Sequence, residues 1–563
     1  MEGKILSKIY ILQRANSNPG GDESFPLMSD CADARKIERQ RKKWKKLGGF
    51  LSISVSLVSI FALSWIYKIL NFVWLRPRKV ERTLKQQGIR GLTYKLLIGN
   101  LKESQAMIDE ALSKPINRSH SIVTRLEPFI TELAQNYGKV ALSWLGPYAR
   151  VSIMDPELIK EVMLNKSNHL EKVKINPLIE LVAPGLALLD GEKWAAHRRI
   201  MNPAFHVDKL KRMLPAIYTS CSTLIDKWRN LVVPDGSCEL DVWPELHHLT
   251  ADVISRTSFG SSYKDGMQIF ELLSEQARLF TEAGQFACIP GYRYFPTKDN
   301  YRRKEIDRRV RALLKDMIMN REKVMKMGQT SENDLLGLMM ESNIRDSHEH
   351  DQALYSMSIE DIIEECKLFF FAGQETTAVL LTWTIVVLSM HPDWQQRARE
   401  EVLQFIGKAE TPSINDINNL KIVTMILHEI LRLYPPVIFL VRTVHKDTTI
   451  GGFNFPPGVV LTLQTLHVYR DPELWGFDAE EFNPERFAGG VASACKNLGA
   501  FMPFGFGPRI CIGQNFAMME AKVALAMILR DFSFELSPDY AHAPRAVLTH
   551  HPQHGAQIIL HKV

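Results

Sequence analysis

The feature that most constrains this chain is a ten-residue stretch near its C-terminus, residues 504–513, with the sequence FGFGPRICIG. It places Cys511 among glycines, directly before an apolar helical pattern. At a helix N-terminus the unpaired backbone N–H groups and the positive end of the dipole stabilise a thiolate. Glycines let the backbone approach a large flat ligand closely. Phe504 offers a ring that can pack on such a ligand, and Arg509 offers several N–H donors that can bind a carboxylate. A lone cysteine is most often a small buried hydrophobe, which is our interpretation of the other six, but the pattern around Cys511 favours a functional role.

A second constraint is an apolar run that begins near Ser358 and ends at His391-Pro392. Ser358 and Asp361 have the spacing of a capping box. The run predicts a single helix of about thirty residues, roughly 48 Å long at 1.5 Å per residue. Residues 372–377, AGQETT, lie inside it, and a glycine, an acid and two hydroxyls are poor choices for a buried helix interior. Taken alone, they indicate either a kinked packed helix or a functional break.

Two pairs of residues are related by helical spacing. Trp194 and Arg198 are four apart and share a helical face, which by itself suggests a surface arginine over an aromatic ring. Glu429 and Arg432 are three apart, and such a pair is commonly a surface salt bridge. Apolar neighbours surround this one, so we predict that it is buried, which is costly unless further bonds are made. Arg486 could complete it.

Residues 504–513 match the pattern Phe-x-x-Gly-x-Arg-x-Cys-x-Gly at every fixed position and so resemble the haem-binding loop of the cytochrome P-450 family. The resemblance implies haem b with its iron held by Cys511, whose thiolate favours O–O cleavage. Residues 372–377 resemble the oxygen-activation pattern of the same family. That likeness implies that Ala372 and Gly373 leave room for dioxygen, that Thr376 hydrogen-bonds it when bound, and that Glu375 relays protons with water.

The same resemblance implies the fold and the remaining site residues. The fold is expected to be mainly α with small β-sheets (α+β), with the haem between the long central helix and the Cys-loop helix. Trp194 and Arg198 match a helix that supplies partners for a haem propionate, and Arg442 aligns with a strand arginine that often reaches a propionate. The cofactor-binding set also includes Phe504 and Arg509. Glu429, Arg432 and Arg486 look like a structural triad behind the haem.

A substrate pocket is placed only by family position. All its residues are apolar or small, which suggests a bulky lipophilic substrate, although each alone is equally consistent with core packing. They are Leu186, Leu188, Phe369, Ala372, Val437, Phe439, Val547 and Leu548.

The N-terminal region contains a membrane-anchor pattern. Residues 1–34 are polar and expected to be disordered, residues 35–46 are basic, and residues 47–67 form an uncharged run of 21, the length of a membrane-spanning helix. We therefore divide the chain into an extension (1–46), a transmembrane anchor (47–67) and a catalytic domain (68–563). The basic run of residues 35–46 has eight Lys or Arg and residues 68–90 have seven, so charge barely decides the orientation of the anchor. Family members place the catalytic domain on the cytosolic face of the endoplasmic reticulum.

Composition restricts the partners. The net charge is +6, with much of the excess near the N-terminus, and no nucleic-acid motif accompanies it. Seven scattered cysteines indicate reduced thiols and not a disulfide framework. No GxGxxG follows a predicted strand, so NADPH and flavins are expected to act indirectly, through a membrane-bound reductase.

Three segments have a finer resemblance, to the plant secologanin-synthase-like group of the seventy-two clan: residues 366–377, 509–517 and 532–537. That group oxidises terpenoids, including triterpenoid scaffolds, iridoid glucosides and gibberellins. The implied reaction inserts one oxygen atom from O2 into a C–H bond.

Two alternatives to a monooxygenase remain. One is an isomerase or dehydratase that uses no O2, although such enzymes tend to lose the threonine that stands here as Thr376. The other is a non-catalytic haem-binding protein.

Overall fold

A computed structural model describes residues 30–165, 169–172, 177–232, 236–260, 263–284, 291–327, 334–346, 357–407 and 412–563. The chain divides into two compact units, residues 1–72 and 73–563. Most of the predicted N-terminal extension, residues 1–29, lies outside the described residues.

The described residues are mostly helical. The α-helices are α1 (Asp30–Leu70), α2 (Arg76–Gln86), α3 (Leu101–Leu112), α4 (Val123–Leu126), α5 (Pro128–Tyr137), α6 (Pro156–Leu164), α7 (Gly191–Met201), α8 (Val207–Val232), α9 (Val242–Phe259), α10 (Tyr263–Ala283), α11 (Lys298–Lys326), α12 (Leu335–Asp346), α13 (Ile359–Met390), α14 (Pro392–Phe405), α15 (Ile414–Asn419), α16 (Lys421–Leu433), α17 (Thr465–Val468), α18 (Pro472–Trp475) and α19 (Gln514–Asp531).

The strands are short. They are β1 (Arg90–Gly91), β2 (Val140–Leu145), β3 (Tyr148–Ile153), β4 (Leu170–Glu171), β5 (Ser237–Asp241), β6 (Leu440–Val444), β7 (Thr448–Ile450), β8 (Phe453–Phe455), β9 (Val460–Leu463), β10 (Phe532–Leu536), β11 (Pro544–Ala546), β12 (His550–Pro552) and β13 (Gln557–Lys562). Six of them form one sheet in the order β1-β2-β3-β9-β6-β4, and β10-β13-β5 form a second. The runs 140–145 and 149–154, separated by Gly146-Pro147, predict a hairpin in the sequence, and the antiparallel pairing of β2 with β3 confirms it.

The first unit contains the predicted anchor. Helix α1 runs through residues 47–67 without interruption and begins 17 residues before them, so the predicted boundary at residue 47 falls inside one helix. Apolar side chains along it are exposed, among them Leu57, Phe61 and Leu63. Within the described part of the chain, α1 and α13 are the two helices long and apolar enough to span a membrane, but most of α13 is buried in protein.

Helix α13 is the central element of the second unit. The Ser358 side chain caps its N-terminus and Asp361 bonds back to the Ser358 backbone, which confirms the predicted capping box. Its sides pack against α9, α11, α16 and α19, so both polar and apolar residues along it are enclosed. A buried helix of this length supplies one rigid wall against which a site can be built.

The 504–513 loop enters α19 through a short 3₁₀ turn (Gly507–Arg509). Gly507 has a φ of +70°, and a Cβ there would lie 2.8 Å from the carbonyl oxygen of Met163 on α6. Position 507 therefore requires glycine because the protein's own backbone approaches it closely. This corrects the expectation that all the glycines of the loop are there to let the backbone approach a ligand.

Candidate active site

Cys511 lies three residues before α19, with its backbone fixed by the loop. Its N–H donates to the carbonyl of Phe504 at 2.8 Å. Burial raises the pKa of the Cys511 thiol, while the Gly513 backbone N–H and the charge of Arg198 act to lower it. The residue nevertheless has exposed surface. The Cys511 side chain is therefore surrounded by protein and still accessible, as a ligand position requires.

Helix α13 is largely buried, but several side chains near its middle are part exposed. Most side chains from Ile362 to Leu388 are buried, but Ala372, Glu375 and Thr376 are part exposed. Ala372 and Thr376 are four apart and share one face, and the Thr376 hydroxyl donates to the Ala372 carbonyl at 2.9 Å. Gly373, by contrast, packs against α9, where a Cβ would lie 2.7 Å from Ile254. The expectation that Gly373 leaves room for dioxygen is therefore replaced by a helix-packing role.

Helix α7 and the turn after it connect α13 with the Cys511 loop. Arg198 on α7 donates to the carbonyl of Ile510, the residue before Cys511, at 2.8 Å. Phe205, in the 3₁₀ turn that follows α7, stacks on Phe369 of α13 with ring centroids 5.8 Å apart. The same ring lies 4.0 Å from the position a Cβ would take at Gly513. Helix α7 and the turn after it thus contact both α13 and the Cys511 loop.

Arg509 joins the predicted cofactor residues of α7. It donates to Asp190, the N-cap residue of α7, at 2.7 Å and to the carbonyl of Leu189 at 2.6 Å. Its guanidinium lies 4.2 Å from the centre of the Trp194 ring, a cation–π distance. The structure therefore brings Arg509, Trp194 and Arg198 together around the loop.

Arg442 and Lys172 add positive charge to the same place. Arg442 is buried on β6, and burial followed by repulsion from Arg509 lowers its pKa to about 10. Burial lowers the pKa of Lys172 to about 7, with Arg442 and Arg509 contributing. Among the described residues, Arg442, Arg509 and Lys172 are three basic side chains close to one carboxylate, that of Asp190. No sequence pattern indicates Lys172, because it lies in a loop without a motif.

Glu375 points toward α9 and the C-terminal hairpin. Its carboxylate accepts from the Thr549 hydroxyl at 2.5 Å, and Nε2 of His247 on α9 lies 3.4 Å from its other oxygen. Burial raises the pKa of Glu375, while the Thr549 bond and the charge of His551 act to lower it. Thr549 and His247 were missed by sequence reasoning, since they are separated from Glu375 by more than a hundred residues and match no pattern.

The predicted structural triad is brought together. Arg432 binds both oxygens of Glu429 at 2.7 Å, and both side chains are fully buried. Arg432 also donates to the carbonyls of Tyr469, Ala479 and Glu481, which satisfies a guanidinium that would otherwise be costly to bury. Nε of Arg486 lies 3.5 Å from Glu429.

The predicted pocket residues lie in different surroundings. Val437 and Phe439 are 39% and 41% exposed and flank the buried Ile438, while Val547 and Leu548 are part exposed in the β11–β12 hairpin. Leu186 and Phe369 are buried. Leu188 lines a cavity of about 670 Å³ together with Asp190, Lys193 and Arg303, and neither Cys511 nor Ala372 lines that cavity.

These features fit a haem. Phe205 links a part-exposed face of α13 to the Cys511 loop, and a surplus of basic side chains beside that loop suits a dianionic ligand such as a porphyrin with two propionates. The residues gathered here are thus of the kinds that could hold a haem.

Comparison with known proteins gives the family. The cytochrome P450 family pattern matches residues 120–553. Cytochrome P450 CYP72A616 of Paris polyphylla is 55% identical over 504 residues, which cover 89% of this chain and 97% of that protein. Echinocystic acid 23-monooxygenase of Saponaria officinalis is 46% identical over 516 residues, covering 91% and 99%. The chain belongs to the cytochrome P450 family and is similar to its plant CYP72A members.

Family membership establishes the chemistry at a general level. The protein is a cytochrome P450 monooxygenase that binds haem b and uses NADPH only indirectly, through a redox partner. The mainly helical fold with small separate sheets is the one that the sequence resemblance implied.

Proposed function

We propose that this protein inserts one oxygen atom into a C–H bond of a lipophilic plant terpenoid, with triterpenoids as the first class to test. The observation that supports this proposal most directly is the 46% identity, over 91% of this chain, to a protein named for the 23-oxidation of echinocystic acid, a triterpenoid. The apolar character of Val437, Phe439, Val547 and Leu548 supports a bulky apolar substrate. Iridoids and gibberellins are the other classes that the sequence resemblance suggests.

The cofactor-binding roles belong to the same proposal. Cys511 holds the haem iron, Phe504 packs near the macrocycle, and Arg198, Arg442 and Arg509 with Trp194 bind the propionates. When bound, the haem supplies the oxygen-activating chemistry. The protein's part is to hold it between α13 and the Cys511 loop and to exclude water. Ala372, one turn from Thr376, keeps that face of α13 open.

Proton handling is assigned to two residues of α13. Thr376 offers a hydroxyl on the accessible face, and its bond to the Ala372 carbonyl fixes the orientation of that hydroxyl. Glu375 is the group that takes up and releases protons, because burial raises its pKa toward the working range of a general acid. Thr549 holds the carboxylate and limits that rise.

We further propose that residues 47–67 anchor the protein in the endoplasmic reticulum membrane, with residues 68–563 as a cytosolic catalytic domain and 1–46 as an N-terminal extension. Electrons come from NADPH through a membrane-bound cytochrome P-450 reductase. The exposed apolar surface of α1 supports the anchor, since leucine and phenylalanine side chains in water are unfavourable.

The test uses membranes that contain this protein and a plant reductase, incubated with NADPH and a pool of triterpenoids, iridoids and gibberellins. We expect a triterpenoid product heavier by one oxygen atom, detected by mass spectrometry and absent when NADPH or the reductase is omitted. Membranes carrying Cys511→Ser serve as the matched control. Protein with a normal reduced carbon monoxide spectrum that oxidises only an iridoid or gibberellin would overturn the triterpenoid assignment.

A further inference from the structure

Glu365 is a buried carboxylate, two turns before the accessible face of α13, that none of the roles above uses. It is 0% exposed, and one of its oxygens lies 2.6 Å from Nδ1 of His197 on α7, which is 3% exposed. The other accepts the backbone N–H of Leu186 at 3.0 Å. A buried carboxylate is expensive unless paired and hydrogen-bonded, and both conditions are met here.

The turn that holds Leu186 is shaped around this carboxylate. Gly185 has a φ of +59°, and a Cβ there would lie 2.6 Å from a carboxylate oxygen of Glu365. Gly191, at the start of α7, has nearly the same φ, +60°, but nothing lies within 4 Å of the position of its Cβ. The two glycines thus share a backbone requirement and differ in contact with Glu365.

His197 and Arg198 fasten α7 in two directions. His197 ties it to α13 through Glu365, and Arg198 ties it to the Ile510 carbonyl beside Cys511. A continuous series of polar contacts therefore runs from α13 through α7 to the loop that holds Cys511. Hydrogen-bonded partners of this kind orient the groups that contact a metal or cofactor, although they do not touch it themselves.

We propose that Glu365 and His197 are positioning residues that fix the separation between α13 and the Cys511 loop, and thereby how firmly the haem is held and how its thiolate is placed. Trp194 is on the same helix, so the pair also sets the ring against which Arg509 packs. The proposal rests on the proposed role of Cys511 as the haem ligand.

The experiment measures haem retention in the full-length protein loaded with haem. Haem transfer to excess haem-free globin gives a rate, and the reduced carbon monoxide spectrum reports thiolate ligation. We expect His197→Leu and Gly185→Ala to lose haem on the order of 10-fold faster than wild type and to show a smaller thiolate-type band. His197→Gln, which keeps an N–H donor, should recover most of the retention.

Gly191→Ala is the matched control for the backbone, and urea unfolding midpoints monitor general stability. If Gly185→Ala transfers haem no faster than Gly191→Ala, the positioning role is refuted, even if His197→Leu fails to fold. Lower midpoints with an unchanged carbon monoxide spectrum would also refute it, because they indicate a purely structural pair. Cys511→Ser run in parallel separates the two proposals, since retention of the thiolate band there would refute the ligand role itself.

Discussion

At the scale of single residues, the pKa of the Cys511 thiol depends on all of its surroundings and not only on its position before a helix. The Gly513 N–H and Arg198 favour the thiolate, as the position before a helix predicts, but burial outweighs them and the pKa of the thiol is raised. In the role proposed for Cys511, haem iron would be the bound cation that favours the thiolate over the thiol.

We predict that Cys511→Ser abolishes the thiolate-type band of the reduced carbon monoxide complex, because a serine hydroxyl is a far weaker acid than a thiol and a harder ligand. The measurement is the reduced carbon monoxide difference spectrum at matched protein concentration. Cys495→Ser, a half-buried cysteine on the loop before the site, is the control and should leave the band unchanged. An unaltered band in Cys511→Ser would remove Cys511 as the ligand.

Thr549 gives a second residue-scale prediction. Thr549→Val removes the hydroxyl that donates to Glu375 and should raise the pKa of that carboxyl further, because that hydrogen bond acts to lower it. Because a general acid works in its protonated form, the pH at which product per NADPH falls to half its maximum on the alkaline side should then move upward. Thr250→Val is the matched control, because the Thr250 hydroxyl donates to the Gln374 carbonyl and not to the carboxylate. Equal shifts in the two variants would count against the proton role of Glu375.

At the scale of elements, the contact between α13 and α9 depends on Gly373. Its position inside a buried helix looks unfavourable in the sequence because glycine lowers helix propensity. The structure explains it by the 2.7 Å separation between the position of a Cβ and Ile254. The two helices can pack this closely only where a side chain is missing.

We predict that Gly373→Ala destabilises the protein by about 1–3 kcal/mol through overpacking, despite the better helix propensity of alanine. Adding Ile254→Ala should recover part of that loss, since it removes the colliding side chain. Urea unfolding of the two single variants and the double variant gives the coupling. Strictly additive effects would show that Gly373 and Ile254 do not collide.

At the scale of the whole molecule, a buried group of histidines joins distant parts of the second unit. His120 contacts the Tyr434 hydroxyl at 2.8 Å and His391 at 3.0 Å, and the ring of His550 stacks near Tyr434. These residues come from the segment before α4, the end of α16, the end of α13 and the C-terminal strands. Burial, followed by the charge of His391, lowers the pKa of His120 to about 3.

This lowered pKa makes stability fall with acid. The folded protein keeps His120 neutral, whereas the unfolded chain binds a proton below pH 6.5 or so, so stability is complete above that pH and is lost as the pH falls toward about 3. Between pH 7.5 and 5, His120 alone accounts for about 2 kcal/mol of lost stability. His120→Gln should reduce the pH dependence of unfolding by about that amount. An unchanged pH dependence would show that His120 is already protonated in the folded state.

The sequence by itself determined the features that depend on neighbours along the chain. The Ser358–Asp361 capping box, the α13 helix and the β2–β3 hairpin follow from local hydrogen bonding and periodicity, and the structure confirms them. The family also followed from the sequence, because short fixed patterns around Cys511 and residues 372–377 suffice to identify it.

Only the tertiary structure decided which distant residues meet. Thr549 reaches Glu375, His197 reaches Glu365, and Met163 explains Gly507, yet none of these pairs has a spacing that a sequence pattern could reveal. Helix and turn signals arise from interactions a few residues long, whereas these contacts depend on how whole helices pack. The same physical difference explains why the sequence identifies the enzyme family but does not place its site. The motifs are local, whereas the arrangement of α13 against the Cys511 loop depends on the packing of distant segments.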